Sequence, residues 1–389
     1  MDISVFLEPL DPERFGNYGD QKTTFGNVIT KNINAEKFPD TEGYHIAIIG
    51  VGEDRGSVHN DGAGRAPDII REKLYNLKIS ENPYRIIDLG NLKLGKTLKD
   101  TYAAVSSILV ELLKEKILPI ILGGSQDLTF AQYTAYEKLE ETVNIVSVDS
   151  SFDLGSTDQP LNANSYLGKI VLHEPNFLFN FSNIGYQTYF VGHEQIELMN
   201  RLYFDAYRLG QVRNDIEEVE PIVRNADIMS FDITAIRQSD APGNGNASPN
   251  GFYGEEACRI VRYAGMSDKL TSFGIYEINP LFDNHDQTSH LAAQMIWYLI
   301  DGYYNRKKDV PLKNKTGFTR YNVSMKKSEQ EIIFYKSTRS ERWWMEVPYH
   351  SNKVKYERHH LVPCSYKDYE TAVREEMPER WWQAFQKIT

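Results

Sequence analysis

The feature that most constrains the fold is an alternation of short apolar runs with segments of helical periodicity. Three of the apolar runs are HIAIIGVG (45–52), ILPIILGG (117–124) and VNIVSVD (143–149). Unbroken apolar runs of this length are typical of strands that are buried on both faces. When such strands alternate with helices, they form a parallel sheet with helices on both sides. The sequence therefore predicts an α/β protein, a three-layer α/β/α sandwich around a mainly parallel sheet.

The same alternation continues along the chain. Further strands are predicted at RIIDLG (85–90), TYFVG (188–192), ADIMSFD (226–232) and LTSFGIYEIN (270–279). Helices are predicted from Pro67 onward and at Thr101–Glu115, Phe130–Glu141, Gly254–Tyr263 and His290–Tyr303. Ligands of open parallel sheets bind at the carboxyl ends of the strands. We therefore expect a functional site just after positions 124, 149, 232 and 277.

Changes of composition divide the chain into three parts. Residues 1–43 are polar, and we expect an N-terminal extension with little regular structure there. Residues 44–302 carry the alternating pattern. Residues 303–389 form a C-terminal extension with four of the five tryptophans, short strands at 331–337 and 345–350, and a helical segment at 368–387 that is broken near Pro378. Buried aromatics serve packing and recognition alike, so this extension is predicted to pack on the core or to bind a partner, including a second copy.

Charge and apolar content exclude two classes of partner. The formal net charge is -11, whereas nucleic-acid binding needs clustered Lys and Arg. The longest apolar runs are too short to cross a bilayer. The first residues show no signal peptide, and Cys258 and Cys364 are typical of free thiols in a reducing compartment. We therefore expect a cytoplasmic protein that binds neither nucleic acid nor membrane.

Five segments in order resemble the ureohydrolase family, which comprises arginase, agmatinase and formiminoglutamase. They are IIGVGEDRGSVHNDGAGRAPDIIR (48–71), LGGSQDLTF (122–130), VDSSFDLG (148–155), SFDITAIRQSDAPGNGNASPNGFYGEEACRI (230–260) and YEINPLFDNHDQTSHLAAQMIWYLI (276–300). The resemblance covers residues 44–302. It implies a three-layer sandwich and hydrolysis of a guanidino or amidino carbon by water that two Mn ions bridge and activate.

The resemblance also implies six metal ligands, of which this chain keeps three. The retained positions are Asp149, Asp153 and Asp232. The positions where the family has two histidines and a further aspartate are occupied by Gln126, Ser151 and Thr234. None of the replacements is anionic and none offers an imidazole, although metals are strict about ligand number and type. The three aspartates also have a purely structural interpretation, since carboxylates at strand ends accept hydrogen bonds from backbone N–H groups and cap loops.

Part of the substrate-binding side of the family's site is kept. By the resemblance, Asn164 and Ser165 match residues that hold the backbone of an amino-acid substrate. Glu277 matches the carboxylate that meets the guanidinium. Leu167 falls near a histidine that assists proton transfer. His193 and Asp127 are candidate replacement ligands, although a lone His or Asp is more often part of a structural hydrogen-bond network.

Three hypotheses follow. The leading one is a protein that has lost the dimanganese reaction, holds no tightly bound metal, and acts by binding an amino-acid or amidine-like ligand or a protein partner. The alternative is an active hydrolase of C–N bonds in linear amidines, with an atypical site that holds manganese or another divalent cation at partial occupancy. The third is a structural subunit of an assembly, a hypothesis that the extensions at both ends favour.

Overall fold

The computed structural model describes residues 1–19, 23–34, 36–156, 158–311, 315–325, 330–349 and 354–388. The strands are β1 (Leu7–Glu8), β2 (Thr30–Lys31), β3 (Ile46–Val51), β4 (Ile86–Leu92), β5 (Leu118–Gly123), β6 (Val143–Val148), β7 (Leu178–Tyr186), β8 (Asp205–Arg208), β9 (Ile228–Asp232), β10 (Ser272–Tyr276), β11 (Phe318–Met325), β12 (Gln330–Ser337), β13 (Trp343–Glu346) and β14 (Leu361–Cys364). The helices are α1 (Pro12–Phe15), α2 (Phe25–Val28), α3 (Ala66–Asn76), α4 (Leu98–Lys114), α5 (Leu128–Lys138), α6 (Tyr166–Val171), α7 (His193–Arg201), α8 (Leu209–Asn214), α9 (Val219–Arg224), α10 (Gly254–Gly265), α11 (Gln287–Tyr304), α12 (Tyr366–Val373) and α13 (Glu379–Ile388).

The large sheet has the order β1-β4-β3-β5-β10-β9-β6-β7-β8, with β2 also pairing with β4. Only the β1–β4 pairing is antiparallel; the other pairings in this sheet of the described chain are parallel. In the centre, β10 pairs with β5 on one side and with β9 on the other. The carboxyl ends of β5, β10, β9 and β6 therefore lie side by side at one edge.

Two hydrophobic cores lie on opposite faces of this sheet, and the strands contribute to them with a period of two. Ile48 and Ile120 belong to one core, while their neighbours Ile49 and Ile121 belong to the other. The first core is closed by α3, α10 and α11, and the second by α4, α5 and α6. Because successive side chains of a strand point to opposite faces, unbroken apolar strands can serve both cores. This confirms the predicted three-layer sandwich.

One predicted strand was wrong and one real strand was missed. TYFVG (188–192) forms a turn that leads into α7, and its Tyr189 and Phe190 are exposed. The strand in this region is β7, in which Phe181 and Ile184 are buried. Polar side chains lie between them, so β7 lacks the unbroken apolar run by which the other strands were found. These polar groups are satisfied across the sheet: Ser182 Oγ donates to Asp205 of β8 at 2.8 Å.

The N-terminal extension is more regular than predicted. It contains α1, α2 and the two-residue strands β1 and β2, both of which pair with β4. Local signals start α1, because the Asp11 side chain accepts from the backbone N–H of Glu13 and Pro12 stands at the first helical position. These elements are too short to show a periodic pattern in the sequence. The side chain of Phe15 is buried in the hydrophobic core and attaches α1 to it.

The C-terminal extension forms a second sheet, β11-β12-β13-β14, covered by α12 and α13. The helical segment breaks between residues 373 and 379 as predicted, while the strand predicted at 345–350 lies earlier, at β13. Arg224 of α9 donates to the carbonyl oxygens of Trp343 and Cys364 at 3.1 Å, and its guanidinium lies 4.4 Å from the ring centroid of Trp344. His359 stacks on Phe179 with a centroid distance of 3.9 Å.

These contacts place the C-terminal extension at the amino ends of β6, β7 and β9, opposite to the edge where ligands are expected. Packing against a further partner stays a prediction. Cys258 and Cys364 are free, buried thiols. Among the described residues, no helix is both long and apolar enough to span a bilayer.

Candidate functional site

Four carboxylates gather at the carboxyl edge of the large sheet. Asp149 follows β6, Asp153 lies in the loop after it, Asp232 ends β9, and Glu277 follows β10. Their exposed fractions are 1%, 8%, 6% and 3%. The sheet order explains why these side chains converge, because β10, β9 and β6 are neighbours.

Two of these residues have a backbone conformation that L-amino acids rarely adopt. Asp153 has φ 50° and Glu277 has φ 64°. Such strain persists only where surrounding contacts fix it, and it clusters at functional sites. The Glu277 carboxylate accepts short hydrogen bonds from the backbone N–H of Gln126 at 2.9 Å and from the Asn60 amide at 2.7 Å. The Asp153 carbonyl accepts from the N–H of Leu167 at the start of α6, at 3.2 Å.

None of the four carboxylates has a cationic partner among the described residues. The buried carboxylates that do form ion pairs are others: Glu53 with Arg55, Asp88 with Arg71, and Asp227 with Arg358. A buried charge without a counter-charge is costly. The site therefore favours either protonation of its carboxylates or a cationic guest.

The pKa values of all four groups reflect this lack of positive charge. Burial, then the nearby charge of Asp153, raises the pKa of Asp149, and burial followed by the charge of Asp149 raises that of Asp232. Burial raises the pKa of Asp153 to about 7, to which the charges of Asp232 and Glu277 contribute. Burial and the charge of Asp232 raise the pKa of Glu277 to about 8.

Two of the three replaced ligand positions donate hydrogen bonds to the retained aspartates. The hydroxyl of Ser151 donates to Asp153 Oδ1 at 2.7 Å, and its backbone N–H donates to Asp149 Oδ1 at 3.0 Å. The backbone N–H of Thr234 donates to Asp232 Oδ1 at 2.6 Å. These donors stabilise the carboxylates without neutralising them.

The side-chain amide of Gln126, the third replaced position, has only part of its hydrogen-bonding capacity satisfied. Its Nε2 lies 3.3–3.4 Å from the hydroxyl oxygens of Ser147, Tyr166 and Ser230. Its Oε1 and Asp149 Oδ2 are both buried without a donor. Gln126 is among the groups that lower the pKa of Asp149 against the larger effect of burial. Two arrangements satisfy both oxygens: a cation between them, or an amide turned by 180° so that Nε2 donates to Asp149 and Oε1 accepts from the hydroxyls.

The donor set fits one hard cation better than the two metals that the resemblance implies. It offers carboxylate, amide and hydroxyl oxygens but no imidazole, and oxygen-only shells suit Mg, Ca or Mn. Within the described ranges, no group of three His, Cys, Asp or Glu side chains is arranged to hold an ion as it stands. A cation would therefore have to draw the three aspartates closer together than they are now.

The other predicted site residues differ in their environments. Asn164 is exposed on the loop before α6. Ser165 is buried, and its hydroxyl accepts from the N–H of Asn162 at 3.0 Å, so this side chain holds its own loop. Leu167 is part of the hydrophobic core. None of the three has a contact with the carboxylates that would define a substrate position, and their assignment stays a prediction.

Neither candidate replacement ligand lies in the site. His193 is the first residue of α7, 84% of its side chain is exposed, and it pairs with Glu197 at 3.2 Å. The replacement-ligand hypothesis for His193 was wrong because it depended on a strand at 188–192 that does not exist. Asp127 accepts a hydrogen bond from the hydroxyl of Tyr102 instead of facing the aspartates.

Sequence reasoning missed two residues of the early glycine-rich loop. Asn60 donates both to the backbone carbonyl of Glu277 at 2.9 Å and to its carboxylate. The Ser57 hydroxyl lies 3.3 Å from the same carboxylate. The resemblance included this loop, at residues 48–71, but single polar residues in it gave no signal of their own.

Comparison with known proteins agrees with this fold. The sequence model of the arginase family matches residues 44–301. The chain is 25% identical over 302 residues to the formimidoylglutamase of Staphylococcus haemolyticus, covering 75% of this chain and 94% of that protein. It is also 25% identical over 279 residues to the formimidoylglutamase of Bacillus subtilis, covering 66% of this chain and 86% of that protein.

Solved structures of this fold are similar as well. The Mn2+-containing formiminoglutamase of Trypanosoma cruzi superposes with a TM-score of 0.64 at 22% identity, over 69% of this chain and 96% of that one. The formimidoylglutamase of Bacillus subtilis gives a TM-score of 0.67 at 19% identity, over 75% and 95% of the two chains. At these identities the structural likeness establishes the fold alone.

The fold and its carboxylate-lined edge define an α/β protein of the ureohydrolase type. The chain belongs to the arginase family, since the family model spans most of it. The two curated relatives are named formimidoylglutamase. The comparisons therefore speak for a hydrolase more than for a protein that has lost its reaction.

Proposed function

We propose that this chain hydrolyses the C–N bond of a linear amidine, as the formimidoylglutamases it resembles are named for doing. The observation that carries this proposal is the set of four buried carboxylates without a cationic side chain. Such a set is stabilised by a positively charged guest, and an amidinium group is one. A divalent cation is another, and the reaction uses both.

Asp149, Asp153 and Asp232 would hold the cation, with the Gln126 amide oxygen as a neutral ligand. When bound, a hard divalent cation would supply an activated water and stabilise the negative charge that develops on attack. Without a cation, burial raises the pKa of Asp153 to about 7, and a cation held by this carboxylate would displace its proton. Glu277 is held by Gln126 and Asn60, so its carboxylate keeps a fixed orientation toward the amidinium.

The experiment is release of formamide from N-formimidoyl-L-glutamate, and of urea from agmatine and arginine, by protein stripped with EDTA and reloaded with Mn, Mg or no metal. Turnover with one of the metals is expected. Asp149→Asn should lower kcat/KM by at least about 100-fold, since it removes charge from the reacting centre. Asp215→Asn, at a surface ion pair with Lys367, is the matched control and should leave the rate unchanged. An equal rate in the Asp149 variant would sink the proposal.

A second candidate is binding without hydrolysis, and the donors at the replaced positions favour it. Ser151 and Thr234 already donate to the aspartates, and a turned amide of Gln126 would complete this set. The site would then be satisfied without a metal. This candidate predicts no turnover with any metal, together with saturable binding of an amidine such as agmatine.

The ligand replacements give a direct test between the two candidates. The combined variant Gln126→His, Ser151→His and Thr234→Asp restores the residue types of the family at all three positions. If the chain binds without hydrolysis, the variant should gain Mn by elemental analysis where the unmodified chain has none. If the unmodified chain already holds about one ion per protein, the hydrolase candidate stands.

A further inference from the structure

The outer strand of the C-terminal sheet, β11, leaves one edge without a partner strand among the described residues. The order of this sheet is β11-β12-β13-β14, so β11 stands at its end. Its residues pair with β12 in an unbroken antiparallel register, from Phe318 opposite Ser337 to Met325 opposite Gln330. The strand contains neither a proline nor a bulge, two features with which proteins commonly keep an edge from pairing. We call its unpaired side the β11 edge, and it is a template for a further strand.

A hydrogen bond at the start of the strand shows which backbone groups face outward. The N–H of Thr338 donates to the carbonyl of Gly317 at 2.9 Å, so the backbone groups of Gly317 face β12. The backbone groups of successive residues in a strand face alternate sides. The residues whose N–H and carbonyl groups face away from β12 are therefore Arg320, Asn322 and Ser324. Within the described ranges, no strand or loop bonds to these outward groups.

Two side chains of the β11–β12 hairpin lack an opposite charge in the part of the chain that the structure describes. Arg320 and Glu331 are both exposed, and neither forms an ion pair there. Glu331 accepts a hydrogen bond from the side-chain amide of Asn322 at 2.7 Å. It lies opposite Ser324, four residues along β11 from Arg320. Four residues of a strand span roughly 13 Å, so Arg320 and Glu331 cannot meet within one copy of the chain.

A second copy of the chain supplies the missing partner to each of these groups. When two β11 edges pair antiparallel about Asn322, Asn322 lies opposite its own copy, and Arg320 lies opposite Ser324 of the second copy. All of these residues have outward backbone groups, so the ladder hydrogen bonds can form. Glu331 follows the small Ser324 in the same row. The long side chain of Arg320 therefore spans two strand spacings, about 10 Å between Cα atoms, to reach Glu331 of the second copy. Two-fold symmetry forms this ion pair twice.

The other face of the strand is complementary in the same pairing. Tyr321 and Val323 are half-buried, and pairing about Asn322 places Tyr321 of each copy opposite Val323 of the other. An aromatic residue opposite a β-branched residue is a favourable cross-strand pair. A slide of two residues either way would place Tyr321 or Val323 opposite itself and move Arg320 away from Glu331. Charge and packing therefore select the same register.

We propose that two copies of this chain associate through their β11 edges, paired antiparallel about Asn322. The two four-stranded sheets then form one continuous antiparallel sheet across a two-fold axis. This gives the self-association expected from the sequence a defined surface. The surface lies outside residues 44–301, which match the arginase family, and the proposal does not depend on the proposed function.

The test is sedimentation velocity of the full chain over a dilution series, which gives the mass of the particle. Asn322→Pro removes an outward N–H and should halve this mass, because proline cannot donate to the ladder between the copies. The melting temperature should be kept, since this N–H does not face β12. Asn322→Thr is the matched control. It loses the same side-chain amide, keeps the backbone N–H, and should have the mass of the unmodified chain.

An exchange of charges tests the register by a route that does not need the proline variant to fold. Arg320→Glu and Glu331→Arg each turn two attractive pairs into two repulsive ones, and each should raise the dissociation constant between copies at least about 5-fold. The variant that combines both changes should recover the affinity of the unmodified chain. Equal mass for the unmodified chain and Asn322→Pro overturns the association and leaves the β11 edge to a strand of a different protein. Unchanged affinity in both single reversals overturns the pairing about Asn322.

Discussion

Two regions of the large sheet bury aspartates in opposite ways. On β4, Asp88 is fully buried and meets Arg71 through two hydrogen bonds of 2.8 Å and 3.0 Å, with a third from Tyr75 at 2.7 Å. At the carboxyl edge, Asp153 is nearly as buried and meets only hydroxyl, backbone and carboxyl groups. The charge of Asp88 is balanced within the chain. The charge of Asp153 is balanced only by protonation or by a cationic ligand.

The two ends of β9 repeat the contrast along one strand. Asp227, just before the strand, pairs with Arg358 of the C-terminal extension and lies 3.7 Å from Lys269. Asp232, at the other end, has no cation among the described residues. The described residues of the C-terminal extension thus supply counter-charge at the amino ends of the strands and none at the carboxyl ends. A missing counter-charge marks the site more clearly than burial does.

The largest expected effect is on the complete pair. Asp88→Asn leaves the fully buried Arg71 with the partly exposed Asp68 as its remaining acidic partner, and breaking a buried ion pair costs about 3–5 kcal/mol. We expect the free energy of unfolding, measured by urea titration, to fall by that amount. Asp68→Asn, at the exposed end of the same arginine, should change it by no more than about 1 kcal/mol. If Asp88→Asn lowers the free energy of unfolding as little as Asp68→Asn does, the contrast between the two regions is wrong.

A smaller effect is expected where the C-terminal extension meets the core. Arg358→Gln removes the charge that faces Asp227, while Lys269 remains nearby. Removing a hydrogen bond to a buried charged group costs about 1–3 kcal/mol, here toward the lower end because Arg358 is one-third exposed. Arg374→Gln is the control from the same extension, since its pair with Glu370 is exposed. Equal urea midpoints for the two variants would mean that the extension adds no counter-charge of consequence.

The sequence pointed to the carboxylates that lack a counter-charge but not to the buried Asp88–Arg71 ion pair. Unbroken apolar runs predicted β3, β5, β6 and β9, and the strand-end rule then brought Asp149, Asp232 and Glu277 to one edge. The strand β7 was missed because its polar residues find partners on β8, which only tertiary structure shows. The Asp88–Arg71 pair was missed for the same reason: sequence gives the two residues but not their contact. The hydrogen bonds of Gln126 likewise depend on side-chain positions that no spacing encodes.

The pH dependence of stability should follow the uncompensated carboxylates. Asp153 and Glu277 have pKa values of about 7 and about 8 in the folded chain, above their ordinary values of 3.8 and 4.5. The folded chain therefore holds protons that the unfolded chain releases. Stability from these groups is fully present below about pH 4 and is lost as the pH rises through about 7 and 8. In EDTA, deprotonation of these two carboxyl groups should lower the melting temperature as the pH rises through about 7 and 8.

A cationic guest should reverse that trend. Deprotonated carboxylates bind a cation more tightly, so a saturating divalent metal or agmatine should raise the melting temperature most at the alkaline end. The control is Asp153→Asn, which removes one of the two groups and should flatten the profile in EDTA. A melting temperature that rises steadily from pH 5 to pH 9 in EDTA, in both the unmodified chain and the variant, would contradict the assignment.

The smallest expected effect on stability is that of Asp153→Asn itself at about pH 4, where a pKa of about 7 leaves this carboxyl protonated in the folded chain, and it is the sharpest contrast with Asp88→Asn. Asn tolerates the left-handed backbone that Asp153 adopts, and its amide oxygen can still accept from Ser151. No arginine is left unpaired. We therefore expect a change in the free energy of unfolding within about 0.5 kcal/mol. Asp153→Ala, which keeps neither the acceptor nor the tolerance for this backbone, should cost about 1–3 kcal/mol. If Asp153→Asn instead costs as much as Asp88→Asn, the carboxylate of Asp153 contributes to the fold through an interaction that the contrast between the two regions leaves out.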